Sequence, residues 1–340
     1  MLVLGIETSC DECSASVVED GKKIISNVIT TQIDFHKEYY GVVPEIASRL
    51  HTEWITSVVK KSLDEAELKI GDIDAFAVTS RPGLIGSLMV GLAYAKGLAY
   101  VTGKPFVAVD HIKAHIYAAH LAFDIPYPYL GLIVSGGHTL IVRMDDYDTM
   151  KILGTTIDDA CGEAFDKVAK FYDMGYPGGV VIDRLSSEGD PKAFCFPKPN
   201  LHKTGNPYDV SYSGLKTAVI NQIDQFNEKR SPKTNENIAA SFQKTAIDIL
   251  VSRLRKASKA EDLTTIVAGG GVSANSYLRK AVGELKGIES FFPPLKLCTD
   301  NGAMIAGLGY HYLKNGSRSG WDENVLSRVV SKVQKIKRNV

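Results

Sequence analysis

His111 and His115, in the run Val109-Asp-His-Ile-Lys-Ala-His115, could grip one divalent metal ion if the segment is helical, because residues four apart share a helix face. Many helices carry such a pair without a metal, so packed or surface histidines are an equal reading of these two residues alone. Three Gly-rich turns behind apolar runs offer a second chemistry: Gly5-Ile-Glu-Thr-Ser9, then Val134-Ser135-Gly136-Gly137-His138-Thr139, then Gly269-Gly-Gly-Val-Ser-Ala-Asn275. Glycine lets backbone N–H groups approach an anion, and hydroxyls add donors. Each also serves as an ordinary tight strand-to-helix turn. None is a P-loop or has the full dinucleotide spacing, since neither G-x4-G-K-[ST] nor G-x-G-x-x-G occurs there. Two phosphate hairpins and a late adenosine loop fit the set better.

The elements that must position these residues follow from apolar patterning. Residues 106–109 read as a strand feeding the histidine helix, which puts the pair at a strand's carboxyl end, where α/β folds place ligands. Strands are predicted at 2–7, 15–19 and 23–30 with a turn at Asp20-Gly21, and helices at 43–66, with Pro44 in the first turn, and after Pro82-Gly83. Ile125-Pro-Tyr-Pro128 breaks the pattern. It then restarts with strands at 129–134, 139–144 and 150–156 and a helix at 159–172, which predicts a duplicated architecture. The expected domains are 1–127, with the first hairpin and the histidines; 128–302, with the second hairpin and the adenosine loop; and 303–340, a helix returning to the first lobe with a basic tail.

Composition bounds the class. At 340 residues the chain exceeds one ordinary core, so two lobes with a cleft are expected. With 44% hydrophobic and 23% charged residues it is globular, and 39 basic against 39 acidic residues leave no global field for nucleic acid. RNA contact must come from local patches. The tail residues Arg328, Lys332, Lys335, Lys337 and Arg338 form one such patch, or a solvated tail. The start Met1-Leu-Val-Leu has no basic n-region, so the cytoplasm is the expected location. The apolar stretch 84–101 is interrupted by Gly86, Gly91, Gly97 and Lys96, which predicts a buried helix and no membrane span. Five cysteines read as reduced thiols; Cys10-x2-Cys13 has zinc or redox spacing but no second C-x2-C.

Nine blocks in order carry a resemblance: Gly5-Ile-Glu-Thr-Ser-Cys-Asp-Glu12, Gly41-Val-Val-Pro-Glu-Ile-Ala-Ser-Arg49, His111-x3-His115, Val134-Ser-Gly-Gly-His-Thr139, Asp158-Asp-Ala-x-Gly-Glu-Ala-Phe-Asp-Lys167, Tyr176-Pro-Gly-Gly179, Ser213-Gly-Leu-Lys-Thr217, Gly269-Gly-Gly-Val-Ser-Ala-Asn275 and Cys298-Thr-Asp-Asn-Gly-Ala-Met304. Over residues 2 to 310 the chain resembles the bacterial-type tRNA N6-adenosine threonylcarbamoyltransferase family, whose members were once called O-sialoglycoprotein endopeptidases. The resemblance implies an α/β, two-lobed actin-like ATPase fold of the actin, sugar kinase and Hsp70 class, with duplicated mixed-sheet domains around a nucleotide cleft. It implies transfer of the threonylcarbamoyl group from L-threonylcarbamoyladenylate to N6 of adenosine 37 in tRNAs reading codons that begin with A, with release of AMP.

The same resemblance implies site roles. Asp300 becomes the third metal ligand, although Asp300-Asn-Gly before a helical run at 303–313 is also what an N-cap looks like. Two histidines and one carboxylate suit Fe(II) and are compatible with zinc or manganese. Val134, Ser135, Gly136, Gly137 and His138 would surround the phosphate or carbamoyl end of the adenylate, and Asp166, Gly179, Asp183 and Asn275 would contact the nucleoside. Asp11 and Glu12 match an acidic pair and are candidates for accepting the N6 proton, as is Glu163. Implied partners are tRNA, a paralogous subunit, a small P-loop ATPase and a separate synthase that supplies the adenylate. The apolar face Ile46, Leu50, Trp54 and Val58 is a candidate subunit contact, or core.

Arg81, Asp110, Lys113 and Cys13 depart from the usual pattern, which bears on the surroundings of the metal more than on the fold. Three other classes compete. A metallopeptidase would need the Glu of H-E-x-x-H, absent here. A carbamoyltransferase or small-molecule kinase would share the hairpins but not all nine blocks. A catalytically silent scaffold would be expected to lack the histidine pair.

Overall fold

The computed structural model describes residues 1–198, 205–227 and 230–328. Val3, Leu4 and Ile6 of strand β1 (Leu2–Glu7) are fully buried, the pattern of a central strand covered on both faces. Strand β1 pairs antiparallel with β2 (Glu12–Glu19), which pairs antiparallel with β3 (Lys23–Thr31). After the single-turn helix α1 (Ile33–His36) comes α2 (Pro44–Glu65), then β4 (Ala75–Arg81), which lies parallel to β1 with Val3 opposite Ala75. Helix α3 (Ile85–Thr102) leads to β5 (Phe106–Asp110), parallel to β4, and the chain turns at once into α4 (His111–Tyr117). The sheet order is β3-β2-β1-β4-β5.

The plan then repeats. Strands β6 (Tyr129–Val134), β7 (Thr139–Met144) and β8 (Met150–Thr155) form an antiparallel meander. Helices α5 (Cys161–Phe171), α6 (Gly178–Ser186), α7 (Ser213–Asn221) and α8 (Asn235–Glu261) follow. Strand β9 (Thr265–Gly269) pairs parallel to β6, helix α9 (Ser276–Gly283) crosses over, and β10 (Glu289–Phe291) pairs parallel to β9. Read from the third strand of the repeat to the fifth, the order β8-β7-β6-β9-β10 is that of the first sheet. Leu132, Phe165, Phe242, Leu250 and Ile266 lie in its core, with Phe165 and Phe242 edge to face at 5.0 Å.

The last helix among the described residues is α10 (Gly302–Lys314), seated on β1 and β2. A Cβ on Gly5 would run into the Gly302 carbonyl, and one on Gly302 would meet Ser16 N at 2.7 Å, so this approach requires two glycines. The Gly302 N–H donates to Ser14 Oγ at 2.8 Å.

By contacts the chain divides into two units: residues 1–35, 42–114 and from 300 onward, and residues 36–41 with 115–299. The expected borders at 127/128 and 302/303 therefore differ from the observed ones. The Pro-rich break sits inside the second unit, and the first border falls within α4. Strand β2 starts at Glu12 instead of 15, and α5 starts at Cys161 instead of 159, because Asp158 and Asp159 bind other elements. Helix α3 is not wholly buried as the sequence predicted. Leu88, Leu92, Ala95 and Ala99 face the core, while Met89, Tyr100 and Val101 are exposed; by length and composition alone it is apolar enough to cross a membrane. Its Lys96 donates to the carbonyls of Trp321 and Glu323. All five cysteines are free, and Cys13, on β2, is buried in the core, which does not suit a Cys10–Cys13 zinc or redox pair. Of the basic tail, Lys332, Lys335, Lys337 and Arg338 lie outside the described residues.

Candidate active site

The histidine helix is started by the residue before it. Asp110 Oδ1 accepts from Ile112 N at 2.9 Å and Lys113 N at 3.2 Å, satisfying two donors of the first turn of α4. His111 and His115 then project one turn apart, both buried. Opposite them, Asn301 takes the capping role that Asp300 could have had: its side chain accepts from Met304 N at 3.0 Å. Asp300 is thereby left to face His111, with Oδ1 3.6 Å from Nε2. One ligand atom each from His111, His115 and Asp300 lies within 4.8 Å of the others. Metal bonds of about 2.0–2.2 Å to His N and carboxylate O can be satisfied from such a set with small side-chain rotations. Both histidines ride on α4, so one helix and the His111–Asp300 approach define the triad.

The electrostatics fit a cation. Glu7 is fully buried and accepts from Ser9 N at 2.5 Å, from Thr79 Oγ1, and from Nδ1–H of His111 at 3.2 Å. A carboxylate behind a ligating imidazole fixes its orientation and leaves the other nitrogen for metal. Ser9 Oγ touches the same atoms, 3.2 Å from His111 Nδ1 and 3.3 Å from Asp300 Oδ2. Burial acts to lower the His111 pKa, but the carboxylates of Asp300 and Glu7 outweigh it and push it up to about 9. Burial, with Asp11 and Asp300 nearby, pushes the Glu12 carboxyl and the Cys10 thiol well above their usual ranges. The site is short of positive charge.

Glu7, Ser9 and Thr79 belong to this site and the sequence does not assign them to it. Glu7 and Ser9 sit in a quoted motif, but their partner His111 is over a hundred residues away. The departures Arg81 and Asp110 meet: Arg81 Nε lies 4.0 Å from Asp110 Oδ2, and its Nη1 4.0 Å from Glu323.

The second unit holds the remaining candidates. The turn after Val134 closes with Ser135 N donating to the His138 carbonyl at 2.8 Å and His138 N to Ser135 Oγ at 3.1 Å. Gly136 and Gly137 are exposed, with no heavy atom within 4 Å of where a Cβ would stand. Cys161 N donates to Thr139 Oγ1 at 2.8 Å and Gly162 N to the Ser135 carbonyl at 3.2 Å, docking the start of α5 on this turn. Asp166 accepts from Gly178 N at 2.8 Å and so caps α6. Gly178 has no room for a Cβ, whereas Gly179 faces open space. Asp183 accepts from Ser276 Oγ at 2.7 Å, Ser276 N at 3.1 Å and Asn275 Nδ2 at 3.2 Å. Asn275 also donates to Gln243 Oε1 at 2.7 Å and accepts from Leu278 N at 2.9 Å, capping α9. Asp183 and Asn275 thus form one cluster, and both amide hydrogens of Asn275 are engaged within the protein.

Two further motif blocks meet here. Asp158 accepts from Ser211 Oγ, Tyr212 N and Ser213 N, and Asp159 pairs with Lys167 and Lys216. Glu163 accepts from Ala160 N at 3.2 Å and pairs with Lys167 at 2.7 Å, so it is held at the start of α5.

Comparison with known proteins adds an independent line. The TsaD family, described as tRNA N6-adenosine threonylcarbamoyltransferase, matches residues 23–307. A protein of that name from Treponema denticola is 62% identical over 97% of this chain and 97% of its own length. One from Borrelia garinii subsp. bavariensis is 56% identical, again over 97% of each. Among solved structures, component A of (R)-2-hydroxyglutaryl-CoA dehydratase from Acidaminococcus fermentans superposes with a TM-score of 0.56 at 15% identity, over 92% of this chain and 99% of that one. ROK hexokinase from Thermus thermophilus gives 0.52 at 13% identity, over 93% and 100%. These likenesses show the fold: it is the α/β class of actin-like ATPases and sugar kinases, with a five-stranded mixed sheet in each unit.

Proposed function

The chain belongs to the TsaD family of tRNA N6-adenosine threonylcarbamoyltransferases, and from that premise we propose that its site moves the threonylcarbamoyl group of L-threonylcarbamoyladenylate to N6 of adenosine 37, in tRNAs reading codons that begin with A. The observation that carries the reading is the His111–His115–Asp300 triad backed by Glu7. A divalent ion held there, Fe(II) by preference with Zn(II) or Mn(II) compatible, would supply Lewis acidity and a template for the substrate's oxygens.

The chain's own residues do the rest. The turn Val134–His138 offers backbone donors and open space to the phosphate, with Gly136 and Gly137 admitting it closely. Asp166, Gly179, Asp183 and Asn275 border the nucleoside; Gly179 presents open backbone, while Asp183 and Asn275 hold the α9 turn in place. The mixed anhydride is already activated, so catalysis rests mainly on orientation and charge neutralisation. N6 attacks the carbamoyl carbon, the bond from that carbon to the phosphate oxygen breaks, and AMP departs with the electron pair. Asp11 and Glu12 are the candidates for taking the proton that leaves N6, with burial and the nearby Asp11 and Asp300 pushing the Glu12 carboxyl up.

The reading extends to partners. tRNA is the acceptor, and a paralogous subunit, a P-loop ATPase and an adenylate-supplying synthase complete the system, in the cytoplasm where tRNA is modified. Ile46, Leu50 and Trp54 are half-buried on α2 and remain candidates for the subunit contact, whereas Val58 is buried in the core. A peptidase is disfavoured because Ile112, fully buried, stands where H-E-x-x-H has its general base.

The test is mass spectrometry of nucleosides from unmodified tRNA incubated with the chain, its partners and threonylcarbamoyladenylate, with and without chelator. Chelator-sensitive threonylcarbamoyladenosine is expected. No product beside a competent homologue would replace this reading with that of a silent scaffold.

A further inference from the structure

The turn joining β1 to β2 is gripped by three consecutive carbonyls. Ser9 O accepts from Leu84 N at 2.8 Å, Cys10 O from His51 Nε2 at 2.9 Å, and Asp11 O from Gln32 N at 3.0 Å. Two of these donors are backbone amides that any residue there would supply. The middle one exists only because residue 51 is histidine.

His51 sits on the inner face of α2 and is fully buried. A carbonyl can only accept, so Nε2 carries the hydrogen, and Nδ1 is left buried with no hydrogen-bond partner among the described residues. Burial pushes the His51 pKa down, which keeps this neutral tautomer. An orphaned buried nitrogen costs free energy that an apolar residue of the same size would not incur. Packing alone therefore does not account for a histidine here; the single bond to Cys10 does.

That bond acts on the acidic turn. In a trans peptide the N–H of Asp11 points opposite to the Cys10 carbonyl, so fixing the carbonyl toward α2 fixes the peptide plane from which Asp11 and Glu12 follow. Ser9, one residue earlier, touches both His111 and Asp300, and the Asp300 carboxylate bears on Cys10 and Glu12. A small rotation of the Cys10 peptide would move Asp11 and Glu12 relative to the triad.

We propose that His51 is a positioning residue for the transfer reaction, its Nε2–H holding the Cys10 peptide so that Asp11 and Glu12 stay aligned with His111, His115 and Asp300. This rests on the proposed function above.

Two substitutions of similar bulk separate the bond from the packing: His51→Leu removes the donor, and His51→Gln retains an amide donor. Both are assayed in the full chain with partner proteins, tRNA, adenylate and saturating Fe(II), alongside thermal melting and metal content. For His51→Leu we expect normal metal content and a kcat lower by about 10- to 100-fold, the usual effect of removing a supporting hydrogen bond, with the KM for tRNA little changed. His51→Gln should recover most of that loss. Wild-type kcat in folded His51→Leu, or equal losses in both variants, would overturn the assignment. If His51→Leu does not fold, His51→Ala with added imidazole decides: restored transfer supports the bond, and no restoration in folded protein overturns it. Absence of product with the wild-type chain would instead sink the functional reading, and this inference with it.

Discussion

The turn after β1 and the turn after β6 stand at the same place in two sheets of the same strand order, yet they are built from opposite materials. Strand β1 ends on Glu7, a buried carboxylate bonded to His111, and Ser9 in its turn touches both His111 and Asp300. Strand β6 ends on apolar Val134, and its turn presents Gly136 and Gly137 to open space. Topology supplies a turn at a strand's carboxyl end in both cases. The side chains decide that one gathers carboxylates and histidines suited to a cation and the other leaves glycine backbone open, the material suited to an anion.

The largest expected effect tests the cation side. His111→Ala or His115→Ala should abolish metal binding and lower single-turnover transfer by about 10³-fold or more, several kcal/mol of transition-state stabilisation. Transfer at the wild-type rate in a metal-free variant would collapse the distinction between the two turns.

A pH experiment sharpens the same side. The His111 pKa is raised from 6.5 to about 9 in the folded, metal-free chain, which corresponds to on the order of 3 kcal/mol. Because the folded value lies above the unfolded one, that stability is full below about pH 6.5 and is lost as pH rises to about 9. Calorimetry of chelated protein should show the loss in that window, and metal-loaded protein should not.

Glu7→Gln comes next. It should weaken metal affinity by about 10- to 100-fold while leaving the KM for adenylate unchanged. Gly137→Ala should do the reverse: metal titration and melting stay as in wild type, and the KM for adenylate rises by roughly tenfold, about one hydrogen bond's worth. The comparison breaks if either variant shows the other's phenotype. The last effect is on stability alone: Asn275→Ala removes the cap of α9 and leaves buried Gln243 Oε1 without its donor, and should cost about 2–3 kcal/mol in denaturant unfolding.

How much of this could be read from residues alone depends on range. The bounds of β1, β6 and β7 match the sequence reading because each is a continuous apolar run stopped by polar or Gly-rich turns. The residue pattern does not single out β4, seven residues with six of them buried, or the 27-residue α8. A strand covered on both faces lacks period-two alternation, and a helix that buries more than one face lacks a clean stripe. At the site, the i, i+4 spacing of the histidines is local and therefore visible. The Glu7–His111 bond and the His51–Cys10 bond join residues far apart in sequence, and no spacing rule announces them. Asp300 and Asn301 are ambiguous in the sequence for a different reason: either could cap α10, and only the backbone of Asn301, with φ −154° and ψ 151°, settles which one does.

That division of labour between two neighbouring residues offers an isomeric control protein. Exchanging them, Asp300→Asn with Asn301→Asp, keeps composition, mass and net charge identical and leaves a good capping residue before Gly302. Only the address of one negative charge changes. Such an isomer should fold, migrate and assemble like its parent while lacking the carboxylate that faces His111 Nε2, so that a cell carrying it would report what the chemistry contributes apart from the protein's mere presence.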